Sequence, residues 1–237
     1  DDNFATIVAA VKRGRAIYDN ILSFVRFQLT TNIAAIFTIL FGRLLGMPTP
    51  FTAIQVLFVN IIADGPPAVS LGVDPPKEGL MQRPPRDPKA AILSGQRLTR
   101  IISGAVLMTL ITLGLLWVAD REVATDVALT MTFTTFVLLQ MANALAVRVP
   151  TGSVFTRHSL TNRALWISLA TVVTVQVLVV EVPFLQGVFD TTSLGWARWG
   201  ICVAAALAYL LLDEVRSLVE RLVTRTRERR TAEAAAA

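Results

Sequence analysis

Apolar residues occur along this chain in long runs, and polar and charged residues gather between the runs. Six of the runs come close to the roughly 20 residues that a helix needs to cross a bilayer. They occupy residues 27–45, 52–73, 101–119, 127–147, 165–184 and 196–215. The pattern therefore predicts an all-α membrane protein with six transmembrane helices.

The segment before the first run has a different pattern. Its apolar residues recur at helical spacing, and basic residues lie between them. The apolar set consists of Phe4, Ile7, Val8, Val11, Ile17 and Ile21. This spacing predicts an amphipathic helix that continues directly into the first span. We call residues 4–20 the stalk.

The composition agrees with a membrane protein. Of the 237 residues, 54% are hydrophobic and only 16% are charged, and the mean hydropathy is +0.59. Such a chain is too apolar for an ordinary soluble domain. The net charge is +5, but Lys and Arg cluster in the stalk, after the second and fourth runs, and in the tail. By the positive-inside rule both ends are expected in the cytoplasm, and the basic balance indicates no nucleic-acid partner.

The stretch VNIIADGPPAV, residues 59–69, interrupts the second run with polar residues. Asp64 is a carboxylate near the middle of a predicted span, whereas the other acidic residues of the spans lie toward their ends. An ionisable residue inside a membrane is costly and indicates a functional site. Asn60 comes four residues earlier, so a regular helix would place both side chains on one face.

The two prolines of this stretch predict a break in the helix. Pro66 and Pro67 have no N–H groups, which leaves the carbonyls of Ile62 and Ala63 without their usual donors. We expect a locally unwound segment that presents these carbonyls, Asp64 and an amide to the same small volume. Broken helices of this kind hold ions in transporters.

An all-oxygen ligand set suits hard cations such as Ca²⁺, Mg²⁺, Na⁺ or K⁺. Two further amides lie inside spans, Asn32 in the first and Gln140 in the fourth. Both are candidate ligands of the same ion. Hydrogen bonds between helices explain such amides equally well.

Five motifs carry a resemblance to a known family. They are DDNFATIVAAVKRGRAIYDNI, VNIIADGPPAVSLGVDPP, MQRPPRDPK, LLQMANAL and LLLDEV, in this order along the chain. The chain resembles the C-terminal membrane part of P-type cation-transporting ATPases of the calcium-pump class. The resemblance implies the last six of ten transmembrane segments. Residues 1–22 would be the end of the phosphorylation domain and the stalk. Residues 23–219 would be the membrane domain with a cytoplasmic loop at 74–97, and residues 220–237 a basic, Ala-rich cytoplasmic tail.

The resemblance also implies roles for single residues. The Asn and Asp that bind transported Ca²⁺ in the sixth segment of the family fall on Asn60 and Asp64, and the Asn of the fifth segment falls on Asn32. Two-site pumps have Glu, Thr and Glu where this chain has Ala35, Ala63 and Gln140. These departures imply a single ion site, as in plasma-membrane calcium pumps. The family pattern Asp-Gly-x-Pro here has Pro66 at x, which leaves the identity of the ion open.

The expected function follows from the resemblance. The chain would be the ion-binding and transducing membrane portion of a P-type ATPase that exports Ca²⁺. It has no Asp-Lys-Thr-Gly and no Thr-Gly-Asp-Gly motif, so we expect no ATP hydrolysis by this chain alone. Mg²⁺ and ATP would act through the actuator, nucleotide-binding and phosphorylation domains. Those domains, the first four transmembrane helices and the lipid bilayer are the expected partners.

Two alternatives stay open at this stage. Oxygen ligands fit a pump for Na⁺, K⁺ or Mn²⁺ equally well, and a truncated chain could form a non-catalytic channel or scaffold. The absence of an initiating Met favours a fragment of a longer protein. The excess of Arg over Lys, with abundant Ala and Val, predicts a bacterial source and hence the plasma membrane.

Overall fold

The computed structural model describes residues 4–76, 79–82, 93–148 and 161–236, apart from the side chains of 221–236. Helices make up nearly all of this part of the chain, and it contains no strand. The helices are α1 (Phe4–Leu44), α2 (Ala53–Phe58), a π-helix (Val59–Ala63), α3 (Gly65–Gly72), α4 (Gly95–Glu122), α5 (Thr125–Ala146), α6 (Arg163–Glu181), α7 (Pro183–Phe189) and α8 (Trp196–Ala236). The predicted all-α membrane fold is confirmed.

Among the described residues, five helical segments are long and apolar enough to cross a membrane, and they correspond to the first five predicted spans. The second of them, Ala53–Gly72, runs through α2, the π-helix and α3. The sixth predicted span forms the first half of α8. This half exposes Leu207, Leu211 and Leu212, as expected of a face that contacts lipid.

The centre of the bundle is α5, whose side chains are buried along almost its entire length. It packs chiefly against α8 and α4, and α4 packs against α1. On α4, Gly104 permits a close approach to α1, because an added Cβ would lie 3.1 Å from the methyl carbon of Thr30. The broken second span lies against α1, α5 and α6.

The stalk and the first span form one continuous helix, α1, as predicted. The apolar residues of the stalk are exposed in the structure. Much of the predicted loop at 74–97 lies outside the described residues, namely 77–78 and 83–92. The division into domains stays a prediction.

The fifth predicted span ends earlier than expected. Helix α6 stops at Glu181 instead of continuing to residue 184, and Val182 is extended, with φ −91° and ψ 119°. The cause is Pro183, because proline disfavours helical geometry in the residue before it. Pro183 then begins the short helix α7.

Candidate functional site

The first half of the broken span, α2, is anchored at its start. The Thr52 side chain accepts a hydrogen bond from the Gln55 N–H at 3.4 Å, and the Gln55 side chain accepts one from the Thr52 N–H at 3.1 Å. This capping box satisfies N–H groups that the helix itself cannot pair. Gln55 also donates to the carbonyl of Phe189 at 2.9 Å. The start of the span is therefore held both by its own cap and by α7.

The centre of the span is a π turn, Val59–Ala63, and not the unwound segment that the sequence predicts. The Asp64 N–H donates to the carbonyl of Val59, five residues back, at 2.8 Å. The Asp64 N–H thus bonds to the carbonyl of Val59, where a regular α-helix would have bonded it to that of Asn60. Accordingly Asp64 is fully buried, whereas Asn60 is exposed. The prediction that Asn60 and Asp64 share one face is wrong for this reason.

The π turn leaves carbonyls without main-chain donors. Four and five residues after Ile62 come Pro66 and Pro67, which have no N–H. The Ala63 carbonyl could accept only from the N–H groups four or five residues later. Pro67 has no N–H, and the Ala68 N–H donates to the Asp64 carbonyl at 3.0 Å. Both predicted carbonyls therefore remain available as ligands, and α3 begins immediately after Asp64.

Asp64 points toward α1. One carboxylate oxygen, Oδ2, accepts a hydrogen bond from the Thr31 hydroxyl at 3.2 Å. The same hydroxyl also lies within bonding distance of the carbonyls of Phe27 and Gln28. The other carboxylate oxygen, Oδ1, is buried and has no hydrogen-bond partner among the described residues. A buried carboxylate with an unpaired oxygen is costly unless a cation or a proton neutralises it.

A cavity of about 130 Å³ lies between α1 and the broken span. Its polar residues are Asn32 and Asn60, and its other lining residues are Ala35, Ile36, Ile39, Phe51, Val56, Val59 and Phe136. The amide nitrogens of Asn32 and Asn60 donate to carbonyls of their own helices, at 2.8 and 3.0 Å. Their amide oxygens are thus the atoms left to bind a ligand.

Gln140 lies on α5, one turn after the cavity residue Phe136. It is fully buried, and neither its amide oxygen nor its amide nitrogen has a hydrogen-bond partner within the described ranges. An interhelical hydrogen bond therefore does not account for this residue. The structure thus brings Asn32 and Asn60 to one cavity, whereas Asp64 and Gln140 are not among the residues that line it.

The sequence interpretation missed Thr31, which contacts Asp64 directly. The signal was present, since QLTTN at residues 28–32 is a polar cluster inside an apolar run. It also missed the pair of Tyr209 and Asn143, in which the Tyr209 hydroxyl donates to the Asn143 amide oxygen at 3.0 Å. In that case the partners are 66 residues apart, and no local pattern connects them.

The donor set is poor in carboxylates. In the part of the chain that the structure describes, no group of three or more His, Cys, Asp or Glu residues converges as a metal site. The candidate ligands are one carboxylate, neutral amides and main-chain carbonyls. Oxygen donors of this kind suit a hard cation such as Ca²⁺, and the charge of Asp64 supplies the main attraction.

A buried carboxylate beside a broken transmembrane helix defines a class of protein, the membrane transporters of ions. The sequence comparisons identify the family within this class. Residues 48–219 match the family described as "Cation transporting ATPase, C-terminus". The chain therefore belongs to the C-terminal membrane parts of the cation-transporting P-type ATPases, as the resemblance implied.

Individual relatives agree with this assignment. The human protein "Calcium-transporting ATPase type 2C member 1" is 39% identical over 222 residues, which cover 93% of this chain and 24% of the human protein. "Calcium-transporting ATPase 1" of Schizosaccharomyces pombe is 39% identical over 224 residues, covering 93% of this chain and 25% of the yeast protein. "Calcium-transporting ATPase type 2C member 2" of the rat is 36% identical over 229 residues, covering 96% of this chain and 24% of the rat protein.

The chain thus spans about 24% of the length of these relatives. All three are eukaryotic proteins. The bacterial source that the composition predicts is not tested by these relatives and stays a prediction.

Proposed function

We propose that this chain is the ion-binding and transducing membrane portion of an ATP-driven pump that exports Ca²⁺ through one ion site. The observation that carries the proposal is the fully buried Asp64, one of whose carboxylate oxygens has no hydrogen-bond partner in the described structure. The names of the relatives, which are calcium-transporting ATPases, support Ca²⁺ as the ion.

In the proposed site Asp64 supplies the negative charge. Asn60 and Asn32 supply amide oxygens from opposite walls of the cavity, and the carbonyls of Ile62 and Ala63 add main-chain oxygens. Gln140 contributes from α5. Because Ca²⁺ takes six to eight oxygens, helices from the rest of the pump complete its coordination.

The cavity wall supports one ion rather than two. Ala35, at the position where two-site pumps have a Glu, lines the cavity and offers no oxygen. Ala63, where those pumps have a Thr, is buried within the π turn. Together with Gln140, which also stands where those pumps have a Glu, the site has two carboxylates fewer, and this disfavours a second divalent cation in a medium of low dielectric constant.

The rest of the proposed pump follows from the family. ATP and Mg²⁺ act on the actuator, nucleotide-binding and phosphorylation domains, and the first four transmembrane helices complete the bundle. The stalk transmits domain motion, and the part of the loop at residues 74–89 docks on the phosphorylation domain. The proposed location is the plasma membrane, with both ends of the chain in the cytoplasm, as the distribution of Lys and Arg favours.

The test is the ATPase activity of the full-length protein that contains this chain, titrated separately with Ca²⁺, Mn²⁺, Na⁺ and K⁺. We expect saturable stimulation by Ca²⁺ and transport of one Ca²⁺ per ATP hydrolysed. If Na⁺ or K⁺ alone stimulates the ATPase, or if Mn²⁺ does so and Ca²⁺ does not, that ion and not Ca²⁺ is the one transported. Ion flux without ATPase activity would favour a channel. A ratio of two Ca²⁺ per ATP would refute the single site.

A further inference from the structure

A buried ion pair closes the cytoplasmic end of the broken span. The Arg148 guanidinium, just after α5, donates to both carboxylate oxygens of Asp74, just after α3. The three nitrogen–oxygen distances are 2.7, 3.0 and 3.1 Å. Asp74 is 4% exposed and Arg148 is 0% exposed. A buried pair with this two-pronged geometry fixes the relative position of the two chain segments.

Two asparagines attach further helices to the same residue. Asn162 donates to the Asp74 carboxylate and to the Ser70 carbonyl, each at 2.9 Å, and its side-chain oxygen caps α6. Asn20, the last residue of the stalk, donates to the main-chain carbonyl of Asp74 at 2.9 Å and to that of Gly72 at 3.2 Å. We call Asn20, Asp74, Arg148 and Asn162 the Asp74 junction.

The junction and the ion site attach the same short helix to α1 at two points. At one end of α3, Asp64 contacts Thr31, and at the other end Asp74 contacts Asn20. Thr31 and Asn20 lie about 16 Å apart along α1 at 1.5 Å per residue. Since α3 has only eight residues between these attachments, it must move with α1 when the stalk is displaced.

We propose that the Asp74 junction is the set of positioning residues that transmits displacement of the stalk to Asp64. It thereby sets how strongly phosphorylation of the pump changes the affinity of the ion site. This inference rests on the proposed function. In thermodynamic terms the junction carries coupling free energy between the phosphorylation site and the ion site, and it touches neither of them.

The test compares Ca²⁺ affinity in two states of the full-length protein, unphosphorylated and held by beryllium fluoride as an analogue of the phosphoryl group. The quantity of interest is the ratio of the two dissociation constants. In Asp74→Asn, and in Asn20→Ala, we expect this ratio to move toward one by about fivefold or more. The affinity of the unphosphorylated protein should stay within about twofold, a change of under 0.5 kcal/mol.

The control is Asp213→Asn, which makes the same substitution at another buried ion pair. Asp213 is also 4% exposed and accepts a hydrogen bond from Arg216 of its own helix, α8, and neither residue belongs to the junction. Its affinity ratio should equal that of the wild type. A drop of the same size in Asp213→Asn would mean that any buried ion pair has this effect, and would overturn the proposal.

Asn20→Ala decides the question if Asp74→Asn does not insert, because it removes only the attachment to the stalk. An unchanged ratio in Asn20→Ala overturns the proposal, as does an equal loss of affinity in both states, which indicates a purely structural role. Failure of the proposed function has a separate signature. In that case the wild-type protein itself shows no Ca²⁺-dependent phosphorylation, whatever the variants do.

Discussion

Asp64 lies inside the second span and Asp74 lies ten residues later, just after it; both are buried, yet their surroundings are opposite. Both carboxylate oxygens of Asp74 accept hydrogen bonds, which Arg148 and Asn162 donate. The Asp64 carboxylate accepts one hydrogen bond, from the Thr31 hydroxyl, and its second oxygen has no partner within the described residues. Burial alone therefore does not distinguish a ligand from a structural anchor. What sets Asp64, the proposed ligand, apart from Asp74 is a carboxylate oxygen without a partner among the described residues.

The largest expected effect separates the two residues by function. Asp64→Asn should abolish Ca²⁺-dependent phosphorylation of the full-length protein, because it removes the charge that attracts the cation. The amount of inserted protein should not fall, since the change also removes an incompletely paired buried carboxylate. Phosphorylation assays on purified protein, with membrane levels measured in parallel, check both statements. Normal Ca²⁺ dependence in this variant would contradict the site assignment.

The next largest expected effect concerns the stability that the ion pair of Asp74 and Arg148 provides. Arg148→Met leaves the Asp74 carboxylate buried without its charge partner, which should lower the free energy of unfolding by about 3–5 kcal/mol. The double variant Arg148→Met with Asp74→Asn should recover most of that loss, because neither charge then remains buried. Denaturant unfolding in detergent measures both. Equal stability of the single variant and the wild type would show that water reaches this pair.

The smallest expected effect concerns the neutral ligands. Asn60→Ala should raise the Ca²⁺ concentration for half-maximal phosphorylation by about tenfold, the amount expected for one lost contact to a charged group. Ile61→Ala is the control, because Ile61 belongs to the same π turn and exposes an apolar side chain. An equal shift in both variants would indicate that the turn was disturbed and no ligand was lost.

The helices could be predicted from local pattern, and the same pattern singles out Asp64, which stays a proposed ligand. Long apolar runs locate the spans, and Asp64 is identified because a carboxylate in the middle of such a run is rare. The π turn could not be predicted, since an i−5 bond changes no residue type and depends on how the halves of the span are held. It reversed the predicted relation of Asn60 and Asp64.

Long-range pairs were beyond the same reasoning. Arg148 counts in the sequence as one of the basic residues of a cytoplasmic loop, yet it is the largest of the fully buried side chains in the described structure. Its partner Asp74 lies 74 residues earlier, at the start of a segment rich in proline. Neither hydropathy nor spacing links residues so far apart, and only the packing of α3, α5 and α6 brings them together.

The π turn has one further consequence, which concerns length. Gln55 holds the start of the span, and Asp74 holds the segment that follows it, so both ends of the span are fixed. The π turn contains one residue more than an α-helical turn, and in an α-helix one residue accounts for about 1.5 Å of rise and about 100° of rotation. A change of this turn between π and α geometry would therefore redirect the Asp64 side chain while both ends of the span stay in place.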